Sequence, residues 1–381
     1  MERPFIELCK NGDLIGAQQL YQLNPNIDIS ADNEEAFRCA CLYGHLEVAK
    51  WLLLVKPTID ISANNEEAFY GACVNRYLHI AQWLLQVKPT IDISENNKYA
   101  FCCACENGHL EVAQWLLQVK PDIDISLGNE QPFRTACENG HLEVAKWLLQ
   151  VKPTIDISAL DEYAFRLTCI KGHLHISQWL LQIKPTIHIS ARNEYAFCLA
   201  CENGHLEVAQ WLLQVKPTID ISVVYYYAFH SACRNGHLEL AQWLLQVSKE
   251  RGQDINISAY SEEAFRCACY GGHLHVAQWL HQICPTINIS AYNEVAFCRA
   301  CRKGHLEVAK WLQQIKPYLY VIEYDENGKM KNYRIREKEE ANWQKRKYLV
   351  WLASNKCPEE NKNNLLYKLP CDMSRMVIGF V

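Results

Sequence analysis

The chain has 381 residues, 49% of them hydrophobic and 21% charged, which excludes a disordered or fibrous polypeptide. With 38 basic and 43 acidic side chains the formal net charge is -5, so no nucleic acid is expected as partner. The 19 cysteines, 14 histidines and 11 tryptophans invite a metal or disulfide explanation, and their positions decide it.

The N-terminus, Met1-Glu2-Arg3-Pro4-Phe5-Ile6-Glu7, lacks the basic start and apolar core of a secretory signal. Apolar runs such as Trp51–Val55 are far short of the roughly 20 residues of a membrane span. An intracellular, cytoplasmic chain with reduced thiols and no membrane contact is expected.

Self-similarity reorganises the sequence. The string Gly-His-Leu-Glu-Val-Ala-x-Trp-Leu-Leu recurs, with its glycine at Gly12, Gly44, Gly108, Gly140, Gly172, Gly204, Gly236, Gly272 and Gly304, and Arg76 in the same register. The step is 32 residues, except for 36 between Gly236 and Gly272, where the segment Ser248–Asp254 replaces the usual Lys-Pro-Thr. Ten units run to Pro317, and a tail of residues 318–381 follows.

In the second unit Asn33 is an N-cap candidate, with Glu34 and Glu35 in the first turn. Phe37, Ala40 and Cys41 fall at i, i+3 and i+4 and form one apolar helix face. Tyr43-Gly44 ends that helix. A second runs from about Leu46 to Leu54, and Pro57 stops it. An extended Ile59–Ser62 leads into the next unit. Helices of about nine residues are not stable alone, below the roughly 12–15 that are marginal. Stacking must hold them, with the tryptophans as a spine between units.

This helix, Gly-His, helix pattern resembles the ankyrin repeat, over most of the chain. The resemblance implies an all-α solenoid that binds proteins on its concave face and hairpin tips. Departures exist: Glu35–Arg38 stands where the family has Thr-Pro-Leu-His, and Lys56-Pro57 where it has Gly-Ala. The variant is similar to the ankyrin arrays of large DNA viruses, which would make the partner a host protein and the location host-cell cytoplasm. Polar substitutions in the first and last units, Gln19 and Gln313, look like capping repeats.

In the tail, Leu319–Tyr324 and Lys329–Ile335 around Asp325–Gly328 predict a β-hairpin with Asn327-Gly328 as a two-residue turn. A helix is expected over Glu337–Ser354. The end, Leu369–Val381, resembles the first helix of an F-box, and the F-box-like ends of poxvirus ankyrin proteins, which dock a ubiquitin-ligase adaptor. That resemblance would give Leu369, Pro370, Met373, Val377 and Phe380 the docking role. The other reading is an apolar helix that covers the last repeat.

The chemistry-bearing residues follow the repeat. Eight histidines sit after the register glycine. Equivalent positions in stacked helices lie about 8–10 Å apart, too far to share an ion, so hydrogen bonding at a turn is expected. Ten of the 19 cysteines share the register of Cys41, a packed small-residue position. Three C-x-x-C pairs (Cys102/Cys105, Cys198/Cys201, Cys298/Cys301) supply two of the four ligands a structural zinc needs. Phosphate-loop, dinucleotide, zincin and nucleophile-elbow signatures are absent, and no enzyme activity, cofactor or metal is expected. The stretch Lys329–Lys347, with eight basic residues against three Glu, reads as a solvated face or an anionic-partner patch.

Residues that break the repeat are the most informative. The register before Ala-Phe holds Tyr99, Tyr163, Tyr195 and Tyr227 among Glu, Gln and Val. Unit eight replaces Ala-Asn-Asn-Glu-Glu by Val223-Val224-Tyr225-Tyr226-Tyr227, and the insertion after it brings Lys249 and Arg251. Tyrosines offer large contact area at low entropy cost, so these residues are candidate partner anchors. Packing on neighbouring units is the competing role. A protein partner, a single copy in solution and a non-enzymatic scaffold are expected, with a ubiquitin-ligase substrate adaptor as the alternative.

Overall fold

The computed structural model describes residues 1–91, 97–219, 221–252 and 254–336; side chains at 97–98 and 221–226 are not described. Among the described residues twenty helices form ten antiparallel pairs. The first five pairs are α1 (Glu2–Lys10) with α2 (Leu14–Leu23), α3 (Ala31–Leu42) with α4 (Leu46–Val55), α5 (Ala63–Val74) with α6 (Leu78–Val87), α7 (Asn97–Glu106) with α8 (Leu110–Val119), and α9 (Leu127–Glu138) with α10 (Leu142–Val151). The next three are α11 (Ala159–Ile170) with α12 (Leu174–Ile183), α13 (Ala191–Glu202) with α14 (Leu206–Val215), and α15 (Ile221–Asn235) with α16 (Leu238–Glu250). The last two are α17 (Ala259–Gly271) with α18 (Leu274–Ile283) and α19 (Ala291–Lys303) with α20 (Leu306–Ile315). Strands β1 (Tyr320–Tyr324) and β2 (Met330–Ile335) follow. The chain divides into two compact units. One holds Met1–Ala200 and Glu207–Ile219; the other holds Cys201–Leu206 and the described residues from Ile221 on.

Each first helix buries one Phe: Phe37, Phe69, Phe133 and their equivalents are at most 1% exposed. Burying such a ring contributes about 2–3 kcal/mol. The tryptophans are only half-buried and do not line up ring on ring. Within each compact unit they pack on the Phe of the preceding repeat instead: Trp83 on Phe37 at 6.3 Å, Trp115 on Phe69 at 6.0 Å, Trp179 on Phe133 at 6.3 Å. Tilted aromatic contacts of this kind add about 0.5–1.5 kcal/mol beyond burial. The spine between repeats is therefore a Phe–Trp pair, repeated. At the start of the array Phe5, Tyr21 and Trp51 form the same cluster.

The beginning of the first helix departs from the sequence expectation. Asn33 is not an N-cap. Asp32, Asn33 and Glu34 all have left-handed backbones, with φ of 53°, 57° and 62°, and the regular helix follows them. The same three-residue turn recurs at Asn64–Glu66, Gly128–Glu130, Leu160–Glu162, Arg192–Glu194, Tyr260–Glu262 and Tyr292–Glu294. A left-handed residue with a side chain costs about 1–2 kcal/mol, so something must hold it. An arginine one turn along does so in several repeats. Arg134 donates from Nε to the Asn129 carbonyl (2.6 Å) and from Nη2 to the Gly128 carbonyl (2.8 Å). Arg38, Arg166 and Arg266 repeat the clamp. The Glu that ends the turn is buried or half-buried, and in several repeats it reaches the next loop: Glu34 Oε1 accepts from the Asp60 backbone N–H (3.3 Å), and Glu162 Oε1 from that of His188 (3.2 Å).

The connecting segments are turns, not extended strands. Ile59 N–H bonds the Lys56 carbonyl and Ala63 N–H the Asp60 carbonyl. Ile59 and Ile61 point inward and are buried. The insertion Ser248–Asp254 also differs from expectation: it lengthens α16 to 13 residues instead of enlarging a loop. No proline stands there to stop the helix.

The hairpin is present, with a different turn. Gly328 N–H bonds the Asp325 carbonyl, Gly328 has φ of 73°, and a bulge lies at Glu323/Tyr324. Asn327 is not left-handed, so this is a longer loop closed by a left-handed glycine. Tyr320 is fully buried and stacks on Phe297 at 4.0 Å and 7°, and its hydroxyl donates to Glu294. Phe297 and Glu294 are the residues that receive a following repeat elsewhere in the array. The hairpin supplies that cover and closes the stack.

Candidate functional site

The register glycines position the inter-helix turns. Gly108 has φ of 76°, and an added Cβ would meet Nδ1 of His141 in the next repeat at 2.4 Å. The imidazoles thus pack against the turn of the preceding repeat. His109 donates from Nε2 to the Val74 carbonyl there (3.0 Å), and His237 to that of Glu202 (3.1 Å).

The cysteines of the Cys41 register are buried in all ten repeats. Burial pushes the Cys9 thiol up to about 12 and that of Cys137 far above its ordinary value. These thiols stay protonated near neutral pH and are poor nucleophiles. Burial also pushes Cys102 up to about 11, and its C-x-x-C partner Cys105 well above its ordinary value. Among the described residues no three His, Cys, Asp or Glu side chains are grouped to hold a metal, and no helix is long and apolar enough to cross a membrane.

The N-terminal turns of the first helices hold the tyrosines. The residue after the core Phe of one repeat meets the residue before Ala-Phe in the next. Arg38 pairs with Glu67 in this way. Tyrosine substitutes for the glutamate in two further pairs: the Arg134 guanidinium lies 4.6 Å from the Tyr163 ring centre, and Arg166 5.6 Å from that of Tyr195. Arg166 also lies 5.7 Å from Tyr163, so Arg134, Tyr163, Arg166 and Tyr195 form an alternating ladder. Each contact is worth about 0.5–2 kcal/mol, depending on desolvation. Tyr163 is half-buried in the ladder, whereas Tyr195 remains 40% exposed.

The other candidates are dispersed. Tyr99 is 66% exposed. Tyr227 is 50% exposed and donates to Glu202 Oε2 at 2.9 Å. Tyr225 and Tyr226 lie within α15, with their side chains outside the described residues. Lys249 is exposed in the last turn of α16, and exposed Arg251 caps that helix. Leu369, Pro370, Met373, Val377 and Phe380, and the helix expected over 337–354, lie outside the described residues.

Two exposed tyrosines were missed from the sequence. Tyr260 and Tyr292 are 70% and 64% exposed, at the first position of the left-handed turn. Arg266 stacks on Tyr292 at 4.7 Å. Their signal was present: the same register holds polar Asp32 and Asn64 in early units.

Residues 69–161 match a family model described as "Ankyrin repeats (3 copies)", and residues 197–245 and 229–281 match one described as "Ankyrin repeats (many copies)". The chain contains ankyrin repeats. Among solved structures, the human ASB11 ankyrin repeat domain is similar at 19% identity, covering 56% of this chain and 97% of that one, with a TM-score of 0.42. No curated protein matches the sequence significantly. The ankyrin solenoid expected from the 32-residue period is the observed architecture, and the repeats point to a scaffold for protein–protein interaction.

Proposed function

We propose that this ankyrin array binds a partner protein through the N-terminal turns of its first helices, with Tyr99, Tyr195 and Tyr227 as anchors. The observation that carries this is exposure. These large amphipathic rings stay between 40% and 66% exposed on helices whose opposite face is fully buried. Aromatic and arginine side chains are the residue types that dominate interface energetics. Tyr225, Tyr226, Lys249 and Arg251 extend the same reading into the eighth repeat.

The test is a triple substitution, Tyr99→Ala, Tyr195→Ala and Tyr227→Ala, measured by biolayer interferometry against a partner first purified with the intact chain. Affinity should fall at least about tenfold, while the thermal unfolding midpoint moves little. Unchanged affinity refutes the proposal. The resemblance to viral arrays makes a host protein the partner to seek. The ligase-adaptor alternative rests on Leu369–Val381 alone; it fails if an F-box-binding adaptor mixed with the intact chain gives no complex.

A further inference from the structure

The opposite ends of the first helices change character late in the array. In the first seven repeats the register next to the buried Cys holds Lys10, three apolar residues and three glutamates (Glu106, Glu138 and Glu202); in the last three it holds Arg234, Tyr270 and Arg302. The structure gathers these with two further cations. Around the Tyr270 ring on α17 stand Arg234 of α15 at 5.3 Å, Arg299 of α19 at 5.4 Å and Lys303 of α19 at 5.1 Å. Arg302 donates from Nε to the Tyr333 hydroxyl of β2 at 3.1 Å. Lys331 is two residues earlier on that strand and so on the same sheet face.

Cations near helix C-termini are favourable on their own, but that does not account for the crowding. Arg299 and Lys303 are four residues apart, a like-charge spacing that destabilises a helix. Arg234, Arg299, Arg302 and Lys303 are all exposed, and among the described residues none has a carboxylate within salt-bridge distance. In the first repeat the equivalent turn balances its charge, with Lys10 3.8 Å from Glu7. The Tyr270 phenol is itself lowered from its ordinary value, first by a hydrogen bond from Lys303 and then by its charge. The turn thus favours negative charge at its centre.

We propose that Arg234, Tyr270, Arg299, Arg302 and Lys303 form a docking surface for an acidic peptide segment of a protein partner, distinct from the tyrosine-bearing turns. Three adjacent helix ends about 10 Å apart span roughly 20 Å, the length of about six residues of extended chain. Peptide carboxylates match the guanidinium forks, and the Tyr270 ring offers an apolar floor between them. A long nucleic acid fits less well, because a chain of net charge -5 repels a polyanion that extends beyond the patch.

The test uses the full chain and a fluorescein-labelled peptide of alternating glutamate and glycine, read by fluorescence anisotropy. A glutamine–glycine peptide and a single-stranded oligonucleotide of equal charge serve as comparisons. Saturable, salt-sensitive binding of the acidic peptide is expected, weakened at least about tenfold by Arg299→Glu with Lys303→Glu. Arg299→Gln with Lys303→Gln should weaken it less. Lys171→Glu, in the Lys303 register of another repeat, should leave it unchanged. Circular dichroism melts of each variant confirm folding. No binding, insensitivity to the charge reversal, equal loss in Lys171→Glu, or tighter binding of the oligonucleotide overturns the proposal.

Discussion

Tyr320 stands where an eleventh repeat would begin, and its truncation tests whether the hairpin is a cap. The ring is fully buried against Phe297 and its hydroxyl donates to the Glu294 carboxylate. Removing a buried aromatic side chain costs about 3–5 kcal/mol. Losing the hydrogen bond to the half-buried Glu294 carboxylate adds about 1–2 kcal/mol. In a repeat array this loss falls on the neighbouring pair rather than the whole chain. Tyr320→Ala should therefore open α19 and α20 under native conditions, read as faster amide exchange over residues 291–315, with α1–α12 unaffected. Tyr320→Phe keeps the ring and should lose only the hydroxyl contribution. Alkaline pH offers a second arm. Burial, reinforced by Glu294, raises the phenol well above its ordinary value of 10.0. The folded state holds the proton that the unfolded chain releases near pH 10, so this stability is complete below pH 10 and declines above it. Tyr320→Phe should flatten that decline. Unchanged exchange in Tyr320→Ala, or the same alkaline slope in Tyr320→Phe, refutes the cap.

Four further outcomes follow from the repeat. Gly108→Ala should cost about 2 kcal/mol by urea unfolding, roughly half from the left-handed backbone and half from contact with His141; adding His141→Ala should restore only the second half. The ten thiols of the Cys41 register should be silent to an aromatic disulfide reagent at pH 8 and react fully in denaturant, because burial keeps them protonated and covered. His230 is lowered to about 4 by burial and by Arg266, despite Glu263 Oε2 at 3.6 Å from its Nδ1. The unfolded chain takes up that proton first as pH falls, so stability is full above pH 6.5 and up to about 3 kcal/mol is lost between 6.5 and 4; His230→Phe should flatten the slope of urea midpoints across that range. Arg166→Met should cost about 2–3 kcal/mol by thermal unfolding, since two carbonyl hydrogen bonds and two ring contacts go with the guanidinium.

The helices, the glycine turns and the buried Phe, Ala and Cys positions were legible because period and proline placement act locally. The left-handed turn was not. Asn33 and its equivalents suit an N-cap and a left-handed residue equally well, since a short polar side chain serves both. What supports the left-handed form is a Glu reaching into the next loop and, in four repeats, a guanidinium reaching back five and six residues; the turn also forms where Tyr70, Cys198 and Cys298 replace that arginine. With such a clamp even Leu160 and Tyr260 hold left-handed backbones that local preference would refuse. The Phe–Trp pairing was hidden for a related reason: tryptophans in one register suggest a row, but within each compact unit the stagger of consecutive repeats places them against the preceding Phe, as Trp83 on Phe37 and Trp115 on Phe69.

The tyrosine stripe shows what this coupling between repeats means for recognition. One register places similar rings in different surroundings, because the preceding repeat supplies each neighbour. Tyr163 has a guanidinium on either side and is half-buried, so its removal acts first on stability. Tyr99 follows a repeat whose corresponding residue is Tyr70, not arginine, and it is the most exposed of the four. A partner that binds this face thus meets rings of graded freedom: Tyr99 keeps most of its area for a partner, whereas Tyr163 has already spent its area on the array. Departures from the repeat are informative only together with the residue one repeat earlier that receives them.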